Sequence, residues 1–163
     1  MFSKIAQFTK AASADKIKKN PSPMDEKEVA FLCSMAIAEL MELVTTVLPS
    51  DSKLSPQEFI NICCEGTDQP KPYPGKNDAD KITYQLDSVI DLVYYCGDIV
   101  KKHTGMPDES LDEVFEEVHK ANMTKIHPDG TVHRREDGKI LKPEGWKEPD
   151  VLSVVKKLLE KSA

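Results

Sequence analysis

The stretch DSVIDLVYYCGD, Asp87 to Asp98, decides how this chain is read. Asp87 and Asp91 are four residues apart, about one helical turn, so both carboxylates leave the same face of a helix. In the window Tyr84 to Cys96 the only other polar side chains, tyrosines aside, are Gln85 and Ser88. Leu86, Val89, Val93 and Cys96 form the opposite side, Ile90 and Leu92 fill the shoulders, and Tyr84, Tyr94 and Tyr95 flank the acidic pair. A solvent-facing helix would show Lys, Glu or Gln around most of its circumference. A helix apolar nearly all round is expected to be buried.

A second helix repeats the pattern. VAFLCSMAIAELMELV, Val29 to Val44, has thirteen apolar residues and otherwise only Ser34, Glu39 and Glu42. Glu39 and Glu42 are three apart and share a face. Acidic side chains are almost never buried unless paired, and neither window supplies a Lys or Arg. Three arrangements would satisfy them: a solvated rim, ion pairs with lysines of another helix, or a shared cation. Two carboxylates about 5 Å apart repel by roughly 3 kcal/mol at an effective dielectric near 20, so four in one cleft call for a cation or protonation. Oxygen-only ligation without His or Cys suits Mg²⁺ or Mn²⁺. Mg²⁺ keeps waters and bridges to substrate phosphate, which turns the pattern toward phosphate chemistry.

Around these helices the chain reads as all-α, an antiparallel helical bundle in a single domain of 163 residues, residues 1–24 forming an N-terminal extension. A short helix is expected over the first dozen residues and a long one from Asp25 to Val47. SPQE, Ser55 to Glu58, is a capping box with Pro at the first helical position, opening a helix through Cys64. A Pro/Gly loop, Glu65 to Asn77, precedes the helix Asp78 to His103, which Gly105 and Pro107 close. Further helices are expected at Ser110 to Ala121 and Asp150 to Ser162. The irregular segment between them, residues 122–148, holds two Asp-Gly turns, and TVHRREDGKIL is suited to a small β-hairpin around the second.

Composition narrows the function classes. The net charge of −6 argues against general nucleic-acid binding. No apolar run is long enough to span a membrane, and the first twenty residues lack a secretory apolar core, so a cytoplasmic protein is expected. Cys33, Cys63, Cys64 and Cys96 show no zinc spacing; Cys33 and Cys96 are expected to act as small apolar residues within the helices. From Lys120 to Lys147 there are seven Lys/Arg against four Asp/Glu, a net of +3 in an acidic chain. Arg134 and Arg135 are its only arginines, and guanidinium groups suit bidentate phosphate contact. Taken residue by residue, a solvated basic loop explains this segment as well as a phosphate site does.

ELMEL and DSVIDLVYY, followed by EEVHKANMTKIHPDGTVHRREDGKILKPEGWKEPDV, resemble the all-α nucleoside triphosphate pyrophosphohydrolase superfamily, most closely its MazG-like, phosphoribosyl-ATP pyrophosphohydrolase-like branch. The resemblance runs from about Asp25 to Val151. It implies a bundle that forms a homodimer or higher homo-oligomer and cleaves the α–β phosphoanhydride of a nucleotide to monophosphate and pyrophosphate. It implies Mg²⁺ held by Glu39 and Glu42 of E-x-x-E and by Asp87 and Asp91, with Glu39 as general base. Asn122 and Lys125 fall in the N-x-[ST]-K segment expected at substrate phosphate, with Lys142 and Arg134 as further anion partners. Two positions depart from the family pattern. Ala38 stands where many members carry a further Glu, and neither Tyr84 nor Ser88 supplies the Glu of the usual E-x-x-D. The rival readings are an inactive helical interaction module of the same fold and a di-iron carboxylate protein. For the second, only Glu116-x-x-His119 has the required spacing.

Overall fold

A computed structural model describes residues 1–71, 73 and 77–161. Part of the Pro/Gly loop and the end of the final predicted helix therefore lie outside the described residues. The all-α expectation is met: six helices carry the chain, and among the described residues the only β pairing is an isolated bridge between Arg134 and Ile140. The chain divides into two compact units, one of Pro21–Ser88 and one of Met1–Asn20 with Val89–Ala163.

The first unit holds α2 (Glu26–Thr45), α3 (Pro56–Glu65) and the opening turns of α4 (Asp78–Thr104). Both α2 and α3 start where the sequence says they should. Asp25 accepts from the Glu28 amide at 2.8 Å while the Glu28 carboxylate accepts from the Asp25 amide at 2.9 Å. Ser55 and Glu58 make the same reciprocal box, with Pro56 at the first helical position. These boxes satisfy amides that would otherwise be orphaned at a helix start. α2 packs on α3, and Val44 is the buried apolar residue of this unit. The Gln85 side-chain amide pairs with the Met24 backbone in both directions, at 2.8 and 2.9 Å, and so fixes α4 to the entry of α2.

The second unit holds α1 (Phe2–Ser13), a 3-10 turn (Ala14–Lys16), the rest of α4, α5 (Ser110–Met123) and α6 (Val151–Lys161). α1 and α6 both pack on α5. α6 turns Val151, Val154, Val155 and Leu158 inward at i, i+3, i+4 and i+7, the spacing of an amphipathic helix, and Leu158 is wholly buried. Gly105, at φ +66°, ends α4 in the left-handed conformation that a glycine adopts freely.

One expectation is corrected. α4 was expected to be buried, yet within this chain Leu86 is 62% exposed, Tyr94 73% and Ile99 51%, and Cys96 is exposed. α2 shows the same feature, with Leu43 61% exposed and Cys33 on the surface. The apolar pattern was read correctly. The expectation of burial was wrong within this chain, because an apolar pattern on a helix does not say what surface meets it.

Candidate functional site

The carboxylates sit on helices whose geometry fixes their pairing. Glu39 and Glu42 lie one turn apart on α2, and Asp87 and Asp91 one turn apart on α4. All four are exposed, and none forms an ion pair with a described residue. Pairing with a lysine of another helix, one of the three arrangements open in the sequence, is therefore absent among the described residues. Each pair stands amid exposed apolar side chains: Leu40 and Leu43 beside the glutamates, Tyr84, Tyr94 and Tyr95 beside the aspartates. Among the described residues no three His, Cys, Asp or Glu side chains gather within reach of one ion. A pair, however, matches what Mg²⁺ takes from a protein, one or two carboxylates with water and phosphate completing its sphere.

The basic segment is built differently, from a dense set of local bonds. Asn122 lies in the last turn of α5, and its side-chain oxygen accepts from the Lys125 ammonium at 2.7 Å. The Lys125 ammonium lies 5.3 Å from the centre of the Trp146 ring and that of Lys142 4.3 Å from the same ring. The indole N–H donates to the Ala121 carbonyl at 2.9 Å, fixing the ring against the last turn of α5. Two of the four residues assigned to substrate from the sequence, Lys125 and Lys142, thus meet at Trp146, and Asn122 bonds the first of them. That residue was missed. Its signal was available: the chain's one tryptophan, in a basic segment, one residue after a glycine that turns the backbone at φ +73°.

Arg134 has another task. Its guanidinium donates to the Gly138 carbonyl at 2.8 Å and to the Ala12 carbonyl and Ser13 hydroxyl, both at 2.6 Å. The fork expected at phosphate ties the hairpin to α1. The hairpin forms where expected: the Arg135 amide donates to the Lys139 carbonyl at 2.9 Å, and Gly138, at φ +93°, closes the turn. Arg135 pairs with Asp137, whose carboxyl is pulled down to about 2 by that hydrogen bond first and by the Lys139 amide second. His127 and His133 meet edge to face, with ring centres 4.9 Å apart. Glu116, which the di-iron reading would need as a ligand, pairs with Lys4, and that hydrogen bond holds its carboxyl below the usual range. His119 stacks on Phe115.

No protein-family model matches the sequence, and no curated protein does. Among solved structures, the chain is similar to a protein of Exiguobacterium sp. 255-15 described, provisionally, as an NTP pyrophosphohydrolase. The match has a TM-score of 0.76 at 20% identity and covers 99% of this chain and 97% of that one. The two chains share the same all-α fold. No helix among the described residues is long and apolar enough to cross a membrane.

Proposed function

We propose that this protein is a Mg²⁺-dependent nucleotide pyrophosphohydrolase of the MazG-like, phosphoribosyl-ATP pyrophosphohydrolase-like branch. Its substrate is a nucleoside or deoxynucleoside triphosphate, or a related nucleotide, cleaved to monophosphate and pyrophosphate. The observation that carries this reading is the pair of exposed carboxylate couples, Glu39/Glu42 and Asp87/Asp91, left without ion pairs on apolar helices of a pyrophosphohydrolase-like fold. An all-oxygen donor set fits Mg²⁺, or Mn²⁺ in its place.

Either couple, Glu39 with Glu42 or Asp87 with Asp91, would hold such an ion, which would supply Lewis-acid charge and ease deprotonation of a water. The chain's own groups do the rest. Glu39 accepts the proton of the attacking water, which adds in line at the α-phosphorus as the α–β P–O bond breaks. Lys125, held by Asn122, and Lys142 balance the charge that collects on the departing pyrophosphate. Arg134 acts at one remove, by holding the segment that presents them. A second copy of the chain covers the apolar faces of α2 and α4, because so many exposed large apolar side chains in contiguous rows exceed what a monomer carries. Obligate homodimer interfaces are of this apolar kind.

The test is pyrophosphate release from a panel of NTPs and dNTPs with Mg²⁺, with Mn²⁺ and with EDTA. Glu39→Gln is expected to lower turnover by about 10²–10⁴-fold while leaving the apo fold at least as stable, since it removes like-charge repulsion. Metal-independent turnover would remove the metal from the reading, and none with any nucleotide would remove the reading in favour of an inactive interaction module.

A further inference from the structure

The geometry points to Trp146 as the positioning residue of a polyphosphate cradle: its indole gathers the ammonium groups of Lys125 and Lys142 toward one anion. This rests on the reading that the basic segment meets the substrate's phosphates, and it adds the group that aims the lysines.

The two ammonium groups lie 5.3 and 4.3 Å from one ring centre, so they are no more than about 10 Å apart. Two flexible lysines have no reason of their own to converge. They repel one another, and each gives up side-chain freedom to hold one place. An indole offsets part of that cost, since its face attracts a cation more strongly than any other side-chain ring. The ring is itself held from both sides. Its N–H is bonded to Ala121 at the end of α5, and its backbone amide donates to the Pro143 carbonyl at 3.1 Å across the Gly145 turn.

The cradle is therefore anchored to the same helical turn that carries Asn122, whose side chain already bonds Lys125. Lys142 also lies 3.6 Å from Glu148, a loose pair with Glu148 81% exposed, which an incoming phosphate can replace. The ligand this arrangement suits is a short polyphosphate chain, which can reach both ammonium groups at once. A single phosphate engages one of them at a time.

Because Trp146 is the only tryptophan, its emission reports the cradle directly. Intact protein would be titrated with inorganic tripolyphosphate in EDTA, at low salt and again at high salt. The expected result is a saturable change in emission that weakens as salt rises and is lost in Lys125→Gln/Lys142→Gln. Calorimetry should show Trp146→Leu binding tripolyphosphate ~5–10-fold more weakly, with Trp146→Phe recovering most of the loss because a ring face remains. In turnover, Trp146→Leu should raise KM and lower kcat as well, because the two ammonium groups it aims meet both the bound phosphates and the charge that grows on the departing pyrophosphate.

Absence of a saturable change, or a change that survives in the double lysine variant, would overturn the cradle. So would an unchanged KM in Trp146→Leu. The two readings separate cleanly. Tripolyphosphate binding by a protein that turns over no nucleotide supports the cradle and removes the hydrolase; turnover without any response at Trp146 does the reverse.

Discussion

α4 and the segment 122–148 are opposite solutions to holding a chain in place. α4 is 27 residues of regular hydrogen-bonded helix whose apolar side chains are largely uncovered within its own chain. The basic segment has almost no regular structure, yet nearly every turn of it is tied down. Asp129 accepts from the Thr131 amide and hydroxyl, Arg134 reaches α1, Arg135 grips Asp137, and Trp146 is bonded to α5. The helix has backbone order and lacks tertiary cover; the segment has the reverse. Regularity of the backbone and security of the fold are thus separate properties, and the proposed chemistry draws on both. Carboxylates gain fixed spacing from a helix, and cations gain convergence from a web of side-chain bonds.

The largest effect should come from breaking the helix side of this comparison. Leu92, 44% exposed, lies on the apolar shoulder of α4, away from Asp87 and Asp91. On a surface that stays wet, Leu92→Asp would cost less than about 0.5 kcal/mol. If a second copy covers it, sedimentation should show the assembly reduced to monomers, and an unchanged oligomer would remove that cover from the account. Arg134→Ala should act more gently but locally. It leaves the Ala12 and Gly138 carbonyls short of their charged donor, a loss of about 2–4 kcal/mol readable as a lower urea midpoint. Arg134→Lys should rescue little, since an ammonium cannot bridge acceptors set around a planar fork.

The smallest effect is electrostatic. Asp137 titrates at about 2, below its ordinary 3.8, so its contribution to stability is complete above about pH 4 and is lost as pH falls through 2. Carboxyl chemical shifts followed by NMR should give that midpoint, and Arg135→Gln should raise it toward the ordinary value.

Local signals made the helices legible. The Ser55–Glu58 capping box, the Gly105 stop and the second Asp-Gly turn stand where the sequence puts them, because these are contests decided within a few residues. The carboxylate pairs were equally legible, since spacing on a helix determines a shared face. Arg134 and Trp146 were not. A guanidinium has the same chemistry whether it serves a phosphate or a carbonyl of α1, and no local pattern reveals a partner 122 residues away. The exposure of α4 escaped for a related reason: hydrophobic periodicity does not say what surface meets the apolar side chains.

That long reach bears on how the protein is made. The links from α1 join Lys4 to Glu116 and Ala12 to Arg134. At ribosomal rates of about 5–20 residues per second, the first helix waits roughly 6–24 s for Arg134 to be synthesised. During that interval Phe2 and Ile5, half-exposed even in the finished chain, trail from the ribosome on a helix of only 12 residues, too short to hold its form alone. α1 is therefore made well before the residues that tie it down, and it keeps its place only once Glu116 and Arg134 have followed.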